Sequence, residues 1–213
     1  GDQDLFVQER RGRLAYFEHV DSRNGPSFEW RTDHFQELDV GTWARFGDLD
    51  ADGDLDLLAA APIGNVRYYR NEGTASAPDF APPTGPLARA DGERLSASRQ
   101  NVPALVALDC DGPPDLLLGR QNGELRYLRH TGTRDDGTPV FEVVSDAYQG
   151  LCVGEGAPCD ESSGTSLQTD GSSARRHGAN ALAGGSLAGD GPPDLPCGDF
   201  FTARLSVLAV ARP

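Results

Sequence analysis

Two hydrophobic patterns alternate along the chain. Short apolar runs, Leu55 to Ala61 and Leu116 to Gly119, each follow a cluster of acidic residues. A run this short fits a buried strand. After each comes a glycine turn, then strict alternation: Val66 and Tyr68, or Leu125 and Tyr127, with Arg67 and Arg126 on the opposite face. Period-two alternation predicts a strand with one buried face. Aromatic-led segments, Ser27 to Trp30 and Val140 to Val144, predict a further strand.

These segments recur as a unit. The clearest copy runs from Phe46 through Asp48, Asp50, Asp52, Gly53 and Asp56 to Gly73, and a second from Leu108 through Asp109, Asp111 and Asp115 to Gly132. Partial copies stand at Asp2 to Phe17 and Asp190 to Leu208. The anchor aspartates Asp4, Asp56, Asp115 and Asp194 are 52, 59 and 79 residues apart. Four strands in about 50 residues, repeated, predict an all-β chain of four-stranded antiparallel blades, a β-propeller or a fragment of one. The expected repeats are 1–41, 42–101, 102–179 and 180–213, in a single domain. The Ala- and Pro-rich stretch 75–92 reads as a connection between blades. The Gly- and Ser-rich stretch 146–180 reads as a loop insertion, a length usually reserved for functional or disordered segments.

Composition narrows the chemistry. The chain has 213 residues and a net charge of −14, and all of its basic side chains are arginine. Nucleic acid is therefore not an expected partner, because phosphate binding needs a basic face. No apolar run reaches the ~18 residues of a membrane span. Methionine is absent, so Gly1 is not a translation start and the chain is expected to be processed or a fragment. Four cysteines (Cys110, Cys152, Cys159 and Cys197) without a CxxC pair argue against zinc and leave disulfides open, with Cys152 and Cys159 the simplest local bridge.

The acidic cluster is the strongest chemical signal. Asp48, Asp50, Asp52 and Asp56 occupy loop positions 1, 3, 5 and 9, with Gly53 at position 6 and the Asp54 carbonyl at position 7. Acids at alternate positions of a tight loop can converge on one centre. Hard oxygen donors without His or Cys favour Ca2+. An EF-hand would need a bidentate Glu at position 12, within a helix; here position 12 is Ala59, within a strand-like run. The second loop offers Asp109, Asp111, Asp115 and the Pro113 carbonyl, with Ala107 at position 1, and is the weaker candidate. The Asp190–Asp194 loop has Ser186 and Ala188 at positions 1 and 3 and is expected to be metal-free or nearly so.

The pattern DxDxDGxxD, followed by Leu57-Leu58, by Val66 to Tyr69 and by Arg70-Asn71-Glu72-Gly73-Thr74, resembles the FG-GAP/VCBS repeats, including those of integrin α chains. The resemblance covers most of the chain outside 146–180. It implies a calcium-binding β-propeller, usually seven-bladed, with the ion between the first two strands of a blade.

No catalytic constellation competes with this reading. His19, His34, His130 and His177 form no metal-ligand spacing, Gly184 to Ala188 lacks the last glycine of a nucleophile elbow, and neither a P-loop nor a dinucleotide fingerprint is present. The expectation is a non-catalytic interaction or scaffolding module outside the cytosol (secreted, cell-surface or organelle-lumenal), binding protein partners or forming part of a larger, membrane-associated assembly. The alternatives are a lectin, with Trp30, Trp43, Tyr68 and Tyr69 as candidate sugar platforms, and the accessory domain of a secreted hydrolase.

Overall fold

The computed structural model describes residues 4–9, 11–20, 27–83, 85–97, 102–108, 112–120 and 124–150, together with the backbone of 181–182, 194–198 and 205–209. It is an all-β chain of four antiparallel sheets. The first contains β1 (Leu5–Gln8), β2 (Leu14–Val20) and β3 (Ser27–Thr32). The second contains β4 (Ala44–Gly47), β5 (Asp56–Ala60) and β6 (Val66–Tyr69). The third is four-stranded: β7 (Ala104–Val106), β8 (Asp115–Gly119), β9 (Leu125–Thr133) and β10 (Pro139–Ser145). The fourth contains β11 (Ala181–Leu182), β12 (Asp194–Gly198) and β13 (Leu205–Ala209).

The repeat seen in sequence is a repeat of register. Leu5 pairs with Phe17, Leu57 with Tyr69 and Leu116 with Leu128, each twelve residues ahead. In the fourth sheet Leu195 pairs with Leu208, one residue further on. Strands β5 and β8 are flanked by β4 and β7, whereas their counterpart β1 lies at a sheet edge.

Sheet stacking follows from alternation. In β5, Leu57 and Ala59 point to one side and Leu58 and Ala60 to the other. The first pair joins a core with Leu14, Val40, Tyr69 and Phe80, against which Phe6 of the first sheet packs. The second joins a core with Val66 and Tyr68 of its own sheet and with Leu116, Leu118, Leu128 and Phe141 of the next. A central sheet is thus apolar on both faces, which is why β5 reads as an unbroken apolar run rather than an alternating one.

The 75–92 stretch does more than connect two sheets. With the residues that follow it, this stretch runs along the free edge of β6 in broken pairing: Arg67 bridges Pro86, Asn65 bridges Ser96, and the Leu87 amide donates to the Val66 carbonyl at 2.8 Å. Pro82, Pro83 and Pro86 supply no N–H, so the outer position of this sheet is filled without a continuous strand. Asn71 holds the turn before it. Its buried Oδ1 accepts from the amides of Gly73 (3.0 Å) and Asp79 (2.9 Å).

Candidate metal centre

The acidic loop joins β4 to β5. Leu49 is fully buried, and its amide donates to Asp56 Oδ2 at 3.1 Å, closing the loop at its base. Two left-handed residues, Ala51 (φ 64°) and Gly53 (φ 95°), fold the chain back on itself. The Gly53 amide donates to Asp48 Oδ2 across five residues (3.2 Å), and the Asp54 amide donates to Asp52 Oδ1 (3.1 Å) as in an Asx turn.

The result is convergence. Asp48, Asp50 and Asp52 each bring a carboxylate oxygen within 4.8 Å of the others. Arg70, just after β6, donates from Nε to Asp50 Oδ2 at 2.7 Å, and its Nη2 lies 3.8 Å from Asp52 Oδ2. Its pKa is raised, first by this hydrogen bond to Asp50. Three buried oxygens (Asp48 Oδ1, Asp50 Oδ1 and Asp54 Oδ1) find no donor. The Asp50 side chain is only 4% exposed. Buried carboxylate oxygens without donors are costly unless a cation meets them. Burial, then the charges of Asp52, Asp50 and Asp48, push the Asp54 carboxyl above its ordinary range.

Asp48, Asp50 and Asp52 could hold a metal ion: the donor set is carboxylate oxygen without nitrogen or sulfur, which suits a hard cation. Asp48, Asp50 and Asp52 would supply the charge, and the Asp54 carbonyl an additional oxygen.

Asp56 has a part that loop spacing did not reveal. It is fully buried and lies outside the Asp48–Asp50–Asp52 group. Its Oδ2 accepts from the Leu49 amide and from the Tyr68 hydroxyl at 2.9 Å, and its Oδ1 from the Asn71 amide at 2.8 Å. Burial pushes this carboxyl up to about 6, against the pull of those donors. The same anchor recurs at Asp115, also fully buried. It accepts from the Leu108 amide (3.3 Å), the Tyr127 hydroxyl (3.0 Å) and the His130 amide (2.8 Å). Asp4 repeats it in exposed form, with the Tyr16 hydroxyl (3.0 Å) and the His19 amide (2.8 Å). The signal was present in sequence as a tyrosine twelve residues after each of these three aspartates. Paired strands in a shared register bring that tyrosine onto the anchor's face.

Of the second loop, Asp109 and Asp111 lie outside the described residues, as do residues 151–180 of the 146–180 insertion and the side chains of all four cysteines. Pro113 is partly buried, and Asp115 faces inward as described. Strand β5 contains Ala59, so the first loop leads into a strand and not into a helix. Among the aromatic platforms, Trp43, Tyr68 and Tyr69 are core residues, which removes them as sugar-stacking surfaces, while Trp30 is 57% exposed. Among the described residues no helix is long and apolar enough to cross a membrane.

No protein-family model, curated protein or solved structure matches the chain.

Proposed function

We propose that this protein is a non-catalytic, calcium-stiffened β-propeller module of the FG-GAP/VCBS type, or an arc of one, that presents a rigid surface to a protein partner or larger assembly outside the cytosol. The observation that carries the reading is the 48–54 loop: three carboxylates converge there and three buried oxygens lack donors. A divalent ion at that point neutralises the cluster and ties β4 to β5. Stability then rises with ion concentration, because only the folded loop binds.

The partner surface is supported by the first sheet. Cross-strand pairing places Leu5, Val7, Phe17, His19, Phe28 and Trp30 on one face. Leu5, Val7 and Phe28 are each between 42 and 44% exposed. The equivalents of Leu5 and Val7 in the next two sheets (Leu57 and Ala59, Leu116 and Leu118) are buried. Exposed apolar side chains gathered on one face support a contact role.

Titration with Ca2+, followed by thermal unfolding and calorimetry, tests the ion. The expected result is a rise in Tm with added Ca2+ that is lost in Asp50→Asn and unaffected by Mg2+ at equal concentration. An unchanged Tm in millimolar Ca2+ rejects the reading.

The neighbouring Phe28 and Trp30 favour a second reading, a lectin. Saturable binding on a glycan array, abolished by Trp30→Ala, would select it over the protein scaffold.

A further inference from the structure

We infer that Arg70 is a displaceable internal cation of the 48–54 loop. A divalent ion entering the loop releases it from Asp50 and passes it to the turn between β9 and β10, so that occupancy of the loop is felt in the next sheet. The inference rests on the ion-binding reading above and adds the regulation of that site.

Three observations converge on it. The first is position. The Arg70 backbone is fixed, its carbonyl accepting from the Ala81 amide at 2.8 Å. Its guanidinium reaches across to the loop, with Nε on Asp50 Oδ2 and Nη2 3.8 Å from Asp52 Oδ2. It thus spans two of the three converging carboxylates. The second is unmet acceptors. With Arg70 in place, Asp48 Oδ1, Asp50 Oδ1 and Asp54 Oδ1 still have no donor, and the Asp50 side chain is only 4% exposed. One flat, singly charged fork cannot serve oxygens that point to a common centre, whereas a doubly charged spherical ion can. An ion bound to Asp50 would also stand within a few ångströms of the guanidinium, and two cations so close in a partly buried loop repel strongly. The Arg70 side chain is 39% exposed and has room to leave.

The third is register. Arg70 lies one step beyond the Leu57–Tyr69 pair, opposite the anchor Asp56. Arg129 stands at the same step beyond Leu116–Leu128, opposite Asp115. The fourth unit, whose loop has Ser186 and Ala188 in place of the first two carboxylates, has Ala209 opposite Asp194. Arginine accompanies the acid-rich loops and gives way to alanine where the loop is poor in acids.

The same guanidinium rests on the third sheet. A Cβ built on Gly137 would lie 3.0 Å from Arg70 Cζ and Nε, so the glycine leaves the space that the guanidinium fills. The two residues before it in the β9–β10 turn, Asp135 and Asp136, are exposed carboxylates. They supply the charge that a released Arg70 would meet.

The test is Ca2+ titration of the isotope-labelled chain, following the arginine Nε–H signals by NMR beside calorimetry. The Arg70 signal is assigned by its loss in Arg70→Gln, and Arg45, whose Nε donates to the Pro103 carbonyl at 2.8 Å, serves as internal reference. The expected result is about tenfold faster hydrogen exchange at Arg70 Nε on saturation, with Arg45 unchanged. The double variant Asp135→Asn, Asp136→Asn should weaken Ca2+ binding about threefold more in the Arg70 chain than in Arg70→Gln, a difference that a thermodynamic cycle isolates. Binding of Ca2+ with Arg70 Nε still protected would overturn this inference and leave the ion reading standing. Equal weakening in the two backgrounds would overturn the transfer to the turn. No heat of Ca2+ binding in either the Arg70 or the Arg70→Gln chain would reject the ion reading, and the inference with it.

Discussion

Arg70 Nε donates to Asp50 Oδ2 at 2.7 Å, so the residue that leaves β6 places a fixed positive charge on a carboxylate of the β4–β5 loop. That pairing couples two segments 20 residues apart, and it competes with any cation for the same oxygen. Arg70→Gln is expected to act with opposite signs in two measurements. Without Ca2+ the Tm falls, because Asp50 loses its partner. With Ca2+ the ion binds about fivefold to tenfold tighter, about 1 to 1.4 kcal/mol, because the competing charge is gone. Calorimetric titration of both proteins checks this, and weaker Ca2+ binding in the variant would refute the competition.

The three tyrosine–aspartate anchors invite one substitution made three times. Tyr68→Phe and Tyr127→Phe each leave a fully buried carboxylate with one donor fewer, at a cost of about 1 to 3 kcal/mol. Tyr16→Phe removes the same bond at exposed Asp4, where water replaces the donor and the expected cost is below about 1 kcal/mol. Urea unfolding should rank Tyr16→Phe as the mildest. Equal costs at all three would show that burial does not set the strength of the anchor.

The tyrosines should govern alkaline stability. Burial, then the hydrogen bond and charge of Asp4, push the Tyr16 phenol up to about 12. Tyr68 is raised by burial and by Asp56, and Tyr69 and Tyr148 chiefly by burial. A phenol whose pKa in the fold exceeds its unfolded value near 10 keeps its proton while the unfolded chain loses it. Its contribution is complete below about pH 10 and is lost as the pH rises through about 12. Phenolate absorbance should therefore rise late and together with the loss of the β-sheet circular dichroism signal. Ionisation of Tyr16, Tyr68, Tyr69 and Tyr148 near pH 10 in a still-folded chain would contradict this.

Backbone strain in the acidic loop gives a separable test. Gly53 stands at φ 95° with open space around it, so Gly53→Ala adds no clash and probes the left-handed conformation alone. The expected cost is about 1 kcal/mol. Ala51 already occupies that region at φ 64°, so Ala51→Gly should stabilise the chain by up to about 1 kcal/mol. Chemical denaturation of the two variants reads both signs.

Much of this architecture was legible in the chain, and the reason is periodicity. Leu57 to Ala60 announced a strand buried on both sides, and Val66 to Tyr69 its partner, because side-chain direction in a strand alternates without regard to distant contacts. The convergence of Asp48, Asp50 and Asp52 was equally local, since a loop turned at Gly53 brings alternate residues together over a few bonds. Asp56 was less transparent. Its spacing marks it as a ligand, but the tertiary structure sets it beneath the loop among Leu49, Tyr68 and Asn71, and that arrangement depends on a strand twelve residues away. Trp43 and Tyr69 were open to a binding role on aromatic character alone, and only the packing of one sheet against the next placed them in the core.

The amino-acid order alone determined the strands, their repeat and the loop that gathers the carboxylates, because each is a matter of neighbours along the backbone. The folded molecule decided which carboxylate is anchored and which aromatics are covered. Those outcomes depend on which surfaces meet when sheets far apart in sequence are stacked, and no local pattern encodes that.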